Sequence, residues 1–453
     1  MNNFDKPYKN YDELVEILKN KNLVIEDESK AKNLLQLHGF HHFINGYGKS
    51  FIKGKSDKFQ SGTTLDDIYS LYLIDSEIQE LFLTNVLKIE KNIANTIGNV
   101  VAEHFGVDND KEFFDYLIEK EKEEKKEKEK KKKKKKTNKE LPEKSPKKLP
   151  EKFLKKDSYL YHKNYSKTRK NAAEPKDVIS NIIRSANHTF DNPTYYYREK
   201  HNHIPPWILV QNLTFGQIVR YYEIQQPNLK TKIANEMISS SMEKEDIDQK
   251  KVLFNTTSLI LSCFRNAAAH TSPLFLFRVK EHIKHYLTPS KETLERYLGK
   301  DIFESISNDS LKTGSLYVAL LSLLLLNRDS FQRRLLITKL QSLEQIWKEE
   351  PFLEDYKAYK EKAGLPDNYV DRLESAQKQL EKNEMAAQHP TNDFSVFKTV
   401  FVYTTNTFHL FKNCQYIKEK EIKEIKELSF LEATQKKYSL CKKCLAKQKS
   451  ISK

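Results

Sequence analysis

The residues best suited to chemistry in this chain form the short string RNAAAH, from Arg265 to His270. Histidine titrates near neutral pH and can act as a general base or acid, and an arginine guanidinium can grip a phosphate through two hydrogen bonds. Asn266 adds an amide four residues before His270, on the same face of a helix. Cleavage of RNA without a metal ion needs a base, an acid and a cation. The string therefore predicts Arg265, Asn266 and His270 as catalytic residues.

A buried helix is expected to position these side chains. Apolar residues recur at helical spacing from Lys251 to His270, and the sequence Thr271-Ser272-Pro273 ends the pattern. His270 is thus expected at a helix C-terminus, where the helix dipole favours a cation. The residues alone leave a second interpretation open, in which His270 only caps the helix and Arg265 is a surface arginine.

The same spacing of arginine and histidine also occurs at Arg198 and His203. That pair precedes Ile204-Pro205-Pro206, in a segment that we expect not to form a regular helix, so one helix face cannot present both side chains. We interpret the second pair as structural or accidental. The neighbouring tyrosines 195–197 can stack on RNA bases, but we rank packing of a loop onto the core first.

Several segments, taken in their order along the chain, resemble the Abi-like abortive-infection family of bacteria. Besides the RNAAAH string, the matching stretches are Lys6 to Tyr47, Gly62 to Ala94, Ile204 to Tyr222 and Gly364 to Tyr369. That family is similar to the HEPN superfamily of helical ribonucleases, whose signature is an arginine followed by a histidine after four to six intervening residues. The resemblance implies that Arg265 and His270 are catalytic, with Asn266 assisting.

The resemblance also implies a cleft formed where two such helices meet across a homodimer, and a role in phage defence or toxin-like growth arrest. Glu90 matches an acidic position of the family, and we interpret it as orienting an arginine or capping rather than as catalytic. Ala94 stands where relatives commonly have an arginine, and residues 271–273 replace a basic residue that many relatives keep.

Three functions follow as hypotheses. The first is a metal-independent endoribonuclease that leaves 2′,3′-cyclic phosphate ends, and its substrate is RNA. The alternative is a noncatalytic RNA-binding protein, which holds a structured regulatory non-coding RNA through the same cleft and a zinc module. A third is a protein-interaction scaffold whose helices only dimerise.

The C-terminal region carries a metal-binding pattern. His409 and Cys414 form one pair, and Cys441 and Cys444 form a second pair after 26 intervening residues. Two closely spaced ligand pairs joined by a loop are typical of a closed tetrahedral zinc site, which leaves no position open for catalysis. We predict structural Zn²⁺ bound by these four residues, His409 being the least secure ligand. The pattern resembles a small zinc-binding module with a V-Y-T-T strand.

Basic residues offer further RNA contacts, but their distribution is uneven. Residues 120–156 contain 19 lysines and 8 glutamates, so the rest of the chain carries only about +4 of the net charge of +15. This segment lacks the apolar residues needed to fold and is predicted to be a disordered insertion that begins as an exposed helix extension. It either attracts phosphates without specificity or is only a solvated insertion. The predicted RNA-binding residues are Lys130, Lys131, Lys132, Arg198, Lys442 and Lys443.

The scarcity of glycine and proline, 11 and 14 in 453 residues, favours a mostly α-helical protein. The family resemblance implies a HEPN-like helical bundle, and the cysteine pattern predicts a small zinc-bound β/α module after it. Two short helices are predicted between residues 8 and 37, a helix of about 40 residues after a cap at Thr63-Thr64, and more helices from 291 to about 380. Gln332-Arg333-Arg334 is expected to be exposed.

The predicted domains are an N-terminal helical part (1–118), the lysine-rich insertion (119–157), the core with the RNAAAH string (158–290), a C-terminal helical part (291–385) and the zinc module (386–453). The polar N-terminus is not that of a signal peptide, and the longest apolar run is too short to span a bilayer. We therefore expect no membrane association. Four cysteines in so long a chain fit a reducing cytoplasm.

Overall fold

The structure is a computed structural model. It describes residues 6–107, 158–388 and 399–444, with gaps at 53, 55, 168–172, 202, 240–245, 280–288, 305, 307–313, 405–406, 412–413, 415–424, 430–432, 434–435 and 437. The predicted lysine-rich insertion at 119–157, with Lys130, Lys131 and Lys132, lies outside the described residues. The chain divides into two compact units, residues 1–381 and 382–453.

The first unit is helical. In chain order its helices are α1 (Tyr11–Asn20), α2 (Glu28–His38), α3 (Leu65–Phe105), α4 (Pro175–His188), α5 (Thr194–Lys200), α6 (Pro206–Leu209), α7 (Phe215–Glu223), α8 (Pro227–Met237), α9 (Ile247–Ala269), α10 (Lys291–Leu298), α11 (Leu316–Leu326), α12 (Ser330–Trp347), α13 (Leu353–Ala363) and α14 (Tyr369–Gln388), of which α14 continues past residue 381. A π-helical turn (His41–Tyr47) and short 3₁₀ segments (Gly48–Phe51, His162–Asn164, Val210–Asn212 and Asp301–Phe303) join them. The predicted mostly α-helical fold class is confirmed.

Helix α3 is the scaffold of this unit. It runs for 41 residues from a capping box, in which the Thr64 hydroxyl accepts from the backbone N–H of Asp67 and the Asp67 carboxylate accepts in return. It ends at Gly106, whose φ of 74° suits a glycine. Apolar side chains at helical spacing make its buried stripe, among them Leu71, Ile74, Ile78, Ile89 and Ile93. The long helix and its cap are as predicted.

Helix α9, which ends in the RNAAAH string, packs against α3, α7, α8 and α11. At the start of α9, the side chain of Asp246 accepts hydrogen bonds from two backbone N–H groups. These donors lie in the first turn, where no helix carbonyl is available to accept them. The buried face of α9 includes Leu253, Leu261 and Phe264, and the Phe264 ring lies 5.7 Å from that of Phe82 on α3. This packing places the polar end of α9 beside the middle of α3.

A glycine brings the short helix α6 close to α3. A Cβ atom on Gly98 would lie 2.8 Å from the Cα atom of Trp207, a distance that real Cβ atoms do not show. Because glycine has no side chain, the two backbones can meet at this point. The approach positions the following segment, residues 210–214, along α3 near the end of α9.

The expectation that Arg333 is exposed is wrong. Arg333 is 1% exposed, although the string Gln332-Arg333-Arg334 was expected at the surface. Its guanidinium donates to the backbone carbonyl of Asn327, at the end of α11, and to the side chain of Gln377 on α14. A buried guanidinium is stable here because it is hydrogen-bonded, and one of its bonds satisfies a carbonyl at a helix C-terminus.

The second unit is built on a small sheet. Its strands are β1 (Thr399–Thr404), β2 (Thr407–His409), β3 (Lys426–Ser429) and β4 (Ser439–Leu440), in the order β3-β1-β2-β4. Strand β1 is antiparallel to β2 and β3, whereas β2 and β4 are parallel. The strand predicted at 397–405 is confirmed as β1. Most of the helix predicted at 431–437 lies outside the described residues.

Nothing in the described part of the chain is suited to crossing a membrane, because its helices lack the necessary combination of length and apolar character.

Candidate functional site

The end of helix α9 presents His270 to solvent. Two hydrogen bonds close the helix in the Schellman pattern, from the N–H of Thr271 to the Ala268 carbonyl (3.0 Å) and from that of Ser272 to the Ala267 carbonyl (2.9 Å). Thr271 has a φ of 53°, which is a strained conformation for a β-branched residue. His270 is the last residue before this turn, and its side chain is exposed.

Arg265 lies one and a half turns earlier, between α9 and α3. Its Nε atom is 3.4 Å from the Glu90 Oε2 atom, and its Nη1 atom donates to the Asn266 side-chain oxygen at 3.3 Å. The Arg265 side chain is 29% exposed and that of Glu90 is 12% exposed. Burial raises the pKa of Glu90, and the adjacent Arg265 opposes that shift. Glu90 thus forms an ion pair with Arg265, and its role in orienting that arginine stays a prediction.

The structure brings two of the three predicted catalytic residues into contact. Arg265 and Asn266 are hydrogen-bonded, whereas in the part of the chain that the structure describes no hydrogen bond joins the His270 imidazole to either of them. All three side chains nevertheless lie on the last two turns of one helix. The His270 side chain is therefore exposed, whereas Arg265 lies against Glu90 and Asn266.

A cleft opens beside Arg265, and sequence reasoning missed most of it. Its volume is about 520 Å³. Helix α3 contributes Leu87, Glu90, Lys91 and Ala94, and the segments before α5 and α7 contribute Asn192, Pro193 and residues 210–214. The only signal in the sequence is the polar string Gln211-Asn212-Leu213-Thr214 between two helices, and nothing in it indicates that this string faces α3.

The loop that follows His270 is anchored by a buried carboxylate that sequence reasoning also missed. Asp75 on α3 is completely buried. Its oxygens accept from the backbone N–H groups of Leu274 and Phe275, the hydroxyls of Tyr47 and Tyr359, and the amide of Gln79, at 2.7–3.1 Å. Burial raises the pKa of Asp75, and these donors oppose the shift. Asp75 therefore fixes the direction in which the chain leaves the RNAAAH helix.

Replacing Asp75 with asparagine is expected to lower the free energy of unfolding by about 2–4 kcal/mol, because an amide group would face donors that then lose their acceptor. Urea unfolding followed by circular dichroism measures the change. Glu80→Gln is the matched control, since Glu80 lies on the same helix and is exposed. Equal unfolding midpoints for the two variants would contradict this role of Asp75.

Arg198 serves the structure of the first unit. Its Nη1 atom donates to the carbonyls of Ala186 (2.6 Å) and Asn187 (2.8 Å), so it caps the C-terminus of α4. The expectation that this segment forms no regular helix is wrong for Arg198, which lies in helix α5. This helix ends at Lys200, before His203. The conclusion that one helix face does not present both residues is confirmed. Contact between Arg198 and RNA stays a prediction.

The tyrosines beside Arg198 divide between packing and exposure. Tyr197 packs against the core, whereas Tyr195 and Tyr196 are 37% and 51% exposed. Lys442 and Lys443 are exposed in the second unit, and their contact with RNA also stays a prediction.

The four predicted metal ligands meet in the second unit. All are buried, and their ligand atoms lie within 4.8 Å of one another. The Cys414 and Cys441 sulfurs are 3.9 Å apart, as are the Cys444 sulfur and the His409 Nδ1 atom. These distances are close to the edge of roughly 3.8 Å in a tetrahedron with metal–sulfur bonds of about 2.3 Å, and far longer than the disulfide bond of about 2.05 Å.

Strand pairing explains why residues so distant in sequence meet. Strands β2 and β4 pair with Phe408 opposite Leu440, and the backbone N–H of Cys441 donates to the Phe408 carbonyl at 2.9 Å. His409 and Cys441 each follow one of these paired residues and so lie side by side. The cluster is chemically fitted to hold a metal ion.

Comparison with known proteins identifies one family. Residues 33–276, slightly more than half of the chain, match the family described as Abi-like protein. This span includes helix α3, the cleft and the RNAAAH string, and it ends before the metal cluster. Neither the curated proteins nor the solved structures contain a match to the chain.

Proposed function

Since the chain belongs to the Abi-like protein family, we propose that it is an endoribonuclease acting in abortive-infection defence against phage or as a toxin-like effector of growth arrest. The observation that carries the proposal is the end of helix α9, where an ion-paired arginine and an exposed histidine lie within two turns. The histidine suits a reaction in which the 2′-hydroxyl loses a proton and the leaving 5′-oxygen gains one, and the arginine suits the negative charge on the phosphoryl oxygens.

In the proposed reaction the 2′-hydroxyl oxygen attacks the adjacent phosphorus, and the bond from phosphorus to the 5′-oxygen breaks. A histidine removes the 2′-proton, and a protonated histidine supplies a proton to the leaving 5′-oxygen. Arg265 stabilises the charge on the phosphoryl oxygens through donors that do not face Glu90. The products carry a 2′,3′-cyclic phosphate and a 5′-hydroxyl.

Two chains supply the two histidines in this mechanism. Each chain carries one Arg265 and one His270, and a homodimer with twofold symmetry would bring the two sets to one cleft. The exposure of His270 and Asn266 supports the proposal, because both side chains are available to a second chain and to RNA.

The end chemistry of the products tests the activity. The full-length protein is incubated with 5′-labelled RNA in EDTA, and we expect cleavage that leaves 2′,3′-cyclic phosphate ends. Cleavage that EDTA abolishes while metal remains bound to the C-terminal cluster would contradict the metal-independent mechanism, as would 3′-hydroxyl ends.

A noncatalytic RNA-binding function is the second candidate. The ion pair between Arg265 and Glu90 favours it, because a partly neutralised arginine is a weaker catalyst and still a hydrogen-bond donor. In that case an RNA of defined sequence co-purifies with the protein, and this RNA has the same length whether it is bound to the parent or to His270→Ala.

We infer that the metal of the C-terminal cluster is zinc. Three sulfurs and one imidazole nitrogen are the donors that zinc prefers in structural sites. With four protein ligands the ion has no open position, so its role is to hold the small sheet together. Lys442 and Lys443, which lie between Cys441 and Cys444, are exposed to solvent.

A further inference from the structure

The cleft beside Arg265 combines cations, amides and an apolar floor. Lys91 and Arg265 carry positive charge against the single carboxylate of Glu90, so the charged groups favour an anion. Asn192, Gln211 and Asn212 also line the cleft. Val210, Leu213 and Ile218 add apolar surface between them. This composition matches a nucleotide, which has a phosphate, an edge rich in donors and acceptors, and an apolar ring face.

Two polar groups of the cleft have no partner among the residues that the structure describes. Among the described residues, neither the Lys91 ammonium nor the Asn192 side-chain amide forms a hydrogen bond or an ion pair. By contrast, Gln211 donates to the side chain of Asn95 at 2.7 Å, and Asn212 accepts the backbone N–H of Thr194 at 3.3 Å. The first two groups are thus available to a ligand, and the second two fix the wall.

Size and surroundings favour one residue of an RNA strand. A volume of about 520 Å³ lies within the range of about 300–1,000 Å³ that small-molecule sites occupy. Two exposed aromatic residues lie two or three positions before lining residues in the sequence: Phe190 (82% exposed) precedes Asn192, and Trp207 (39% exposed) precedes Val210. Exposed aromatics beside a basic cleft are typical of single-strand binding, because they can stack on neighbouring bases.

We propose that this cleft holds one unstacked nucleotide of the RNA strand, with a phosphate at Arg265 and Lys91 and the base edge at Asn192. The assignment rests on the proposed function, because it makes this nucleotide a neighbour of the phosphate that is cleaved. Asn192 then selects the base, while Lys91 contributes affinity independent of sequence.

Binding measurements on a protein that cannot cleave separate these roles. In the full-length His270→Ala background, the dissociation constant of a short fluorescent single-stranded RNA is measured by anisotropy. Lys91→Ala is expected to weaken binding about tenfold for every sequence and to reduce its salt dependence by about one counterion. Asn192→Ala is expected to weaken the preferred sequence about tenfold and to reduce discrimination between bases.

The controls are exposed residues of the same type outside the cleft. Lys339→Ala on α12 and Asn235→Ala on α8 remove side chains without a hydrogen bond or ion pair to described residues, and both are expected to leave the dissociation constant unchanged. If the control variants lose as much RNA affinity as Lys91→Ala and Asn192→Ala, the proposal is overturned. It is also overturned if the cleft variants bind RNA as tightly as the His270→Ala parent.

Two more outcomes distinguish this proposal from the proposed function. If the wild-type chain does not cleave RNA but the cleft variants bind RNA more weakly, the nucleotide site is supported and the ribonuclease activity is contradicted. The opposite result is that the wild-type chain cleaves RNA and that Lys91→Ala and Asn192→Ala cleave it with the same rate and base preference. That result would support the ribonuclease and contradict the role of the cleft. Nucleoside 5′-monophosphates that bind at the cleft without competing with RNA would overturn the assignment to a strand.

Discussion

Replacing His270 with alanine is expected to slow RNA cleavage by about 10²- to 10⁴-fold, the range for loss of a general acid or base. The helix should be unaffected, because the hydrogen bonds that close it use backbone atoms of residues 266–272. Single-turnover cleavage of labelled RNA measures the rate, and circular dichroism and light scattering check the fold and oligomeric state.

His104→Ala is the matched control for this experiment. His104 is exposed in the last turn of α3, as His270 is at the end of α9, and its ring contacts Phe105. The control is expected to cleave RNA at the parental rate. A folded and dimeric His270→Ala protein that also cleaves at that rate would show that the catalytic assignment of the RNAAAH string is wrong.

Arg265→Ala gives a less direct answer, because removal of the guanidinium leaves the Glu90 carboxylate buried without its cation. A loss of activity would then combine a missing phosphate contact with a loss of stability. Glu90→Gln helps to separate the two effects, since it keeps Arg265 and removes the opposing charge. A catalytic Arg265 predicts that Glu90→Gln retains RNA binding.

The elements that position the site could be predicted because their signals are local. Thr64 and Asp67 form a capping box within four residues, and the apolar stripe of α3 repeats at helical spacing. The end of α9 was equally evident from Pro273, although the turn itself uses Thr271 in a conformation that glycine usually adopts. In each case, residues near in sequence decide the structure.

The parts that could not be predicted depend on contacts between distant residues. Asp75 is separated from Leu274 by almost 200 positions, and an aspartate on a helix is more often exposed. Arg333 was expected at the surface for the same reason, and its partners are Asn327 and Gln377. The cleft arises only because Gly98 lets α6 approach α3, which no pattern in either helix indicates.

Removing the metal from the C-terminal cluster is expected to unfold the small sheet while the helical unit stays folded. Each unit has its own hydrophobic core, and that of the second unit is small, built around Val400, Val402, Phe408 and Leu410. Structural zinc contributes about 10–16 kcal/mol of apparent binding energy in zinc-finger peptides, which is more than so small a core can replace.

Cys441→Ser tests this expectation, with metal content measured by elemental analysis and the protection of β1 measured by hydrogen exchange. Cys263→Ser is the matched control, because burial raises the pKa of that thiol to about 11 and it lies on helix α9, outside the cluster. We expect the control to retain one metal ion per chain and Cys441→Ser to lose both metal and protection. Retention of stoichiometric metal by Cys441→Ser would contradict a four-ligand site.

The same variant separates the two chemistries of the chain. Arg265, Asn266 and His270 belong to the helical unit, and none of them contributes to the cluster. If cleavage needs no metal, Cys441→Ser should still cut short RNA in EDTA, at a rate within a few-fold of the parent. Weaker binding of longer RNA by this variant would then assign the lysines of the second unit, Lys442 and Lys443, to substrate capture rather than to catalysis.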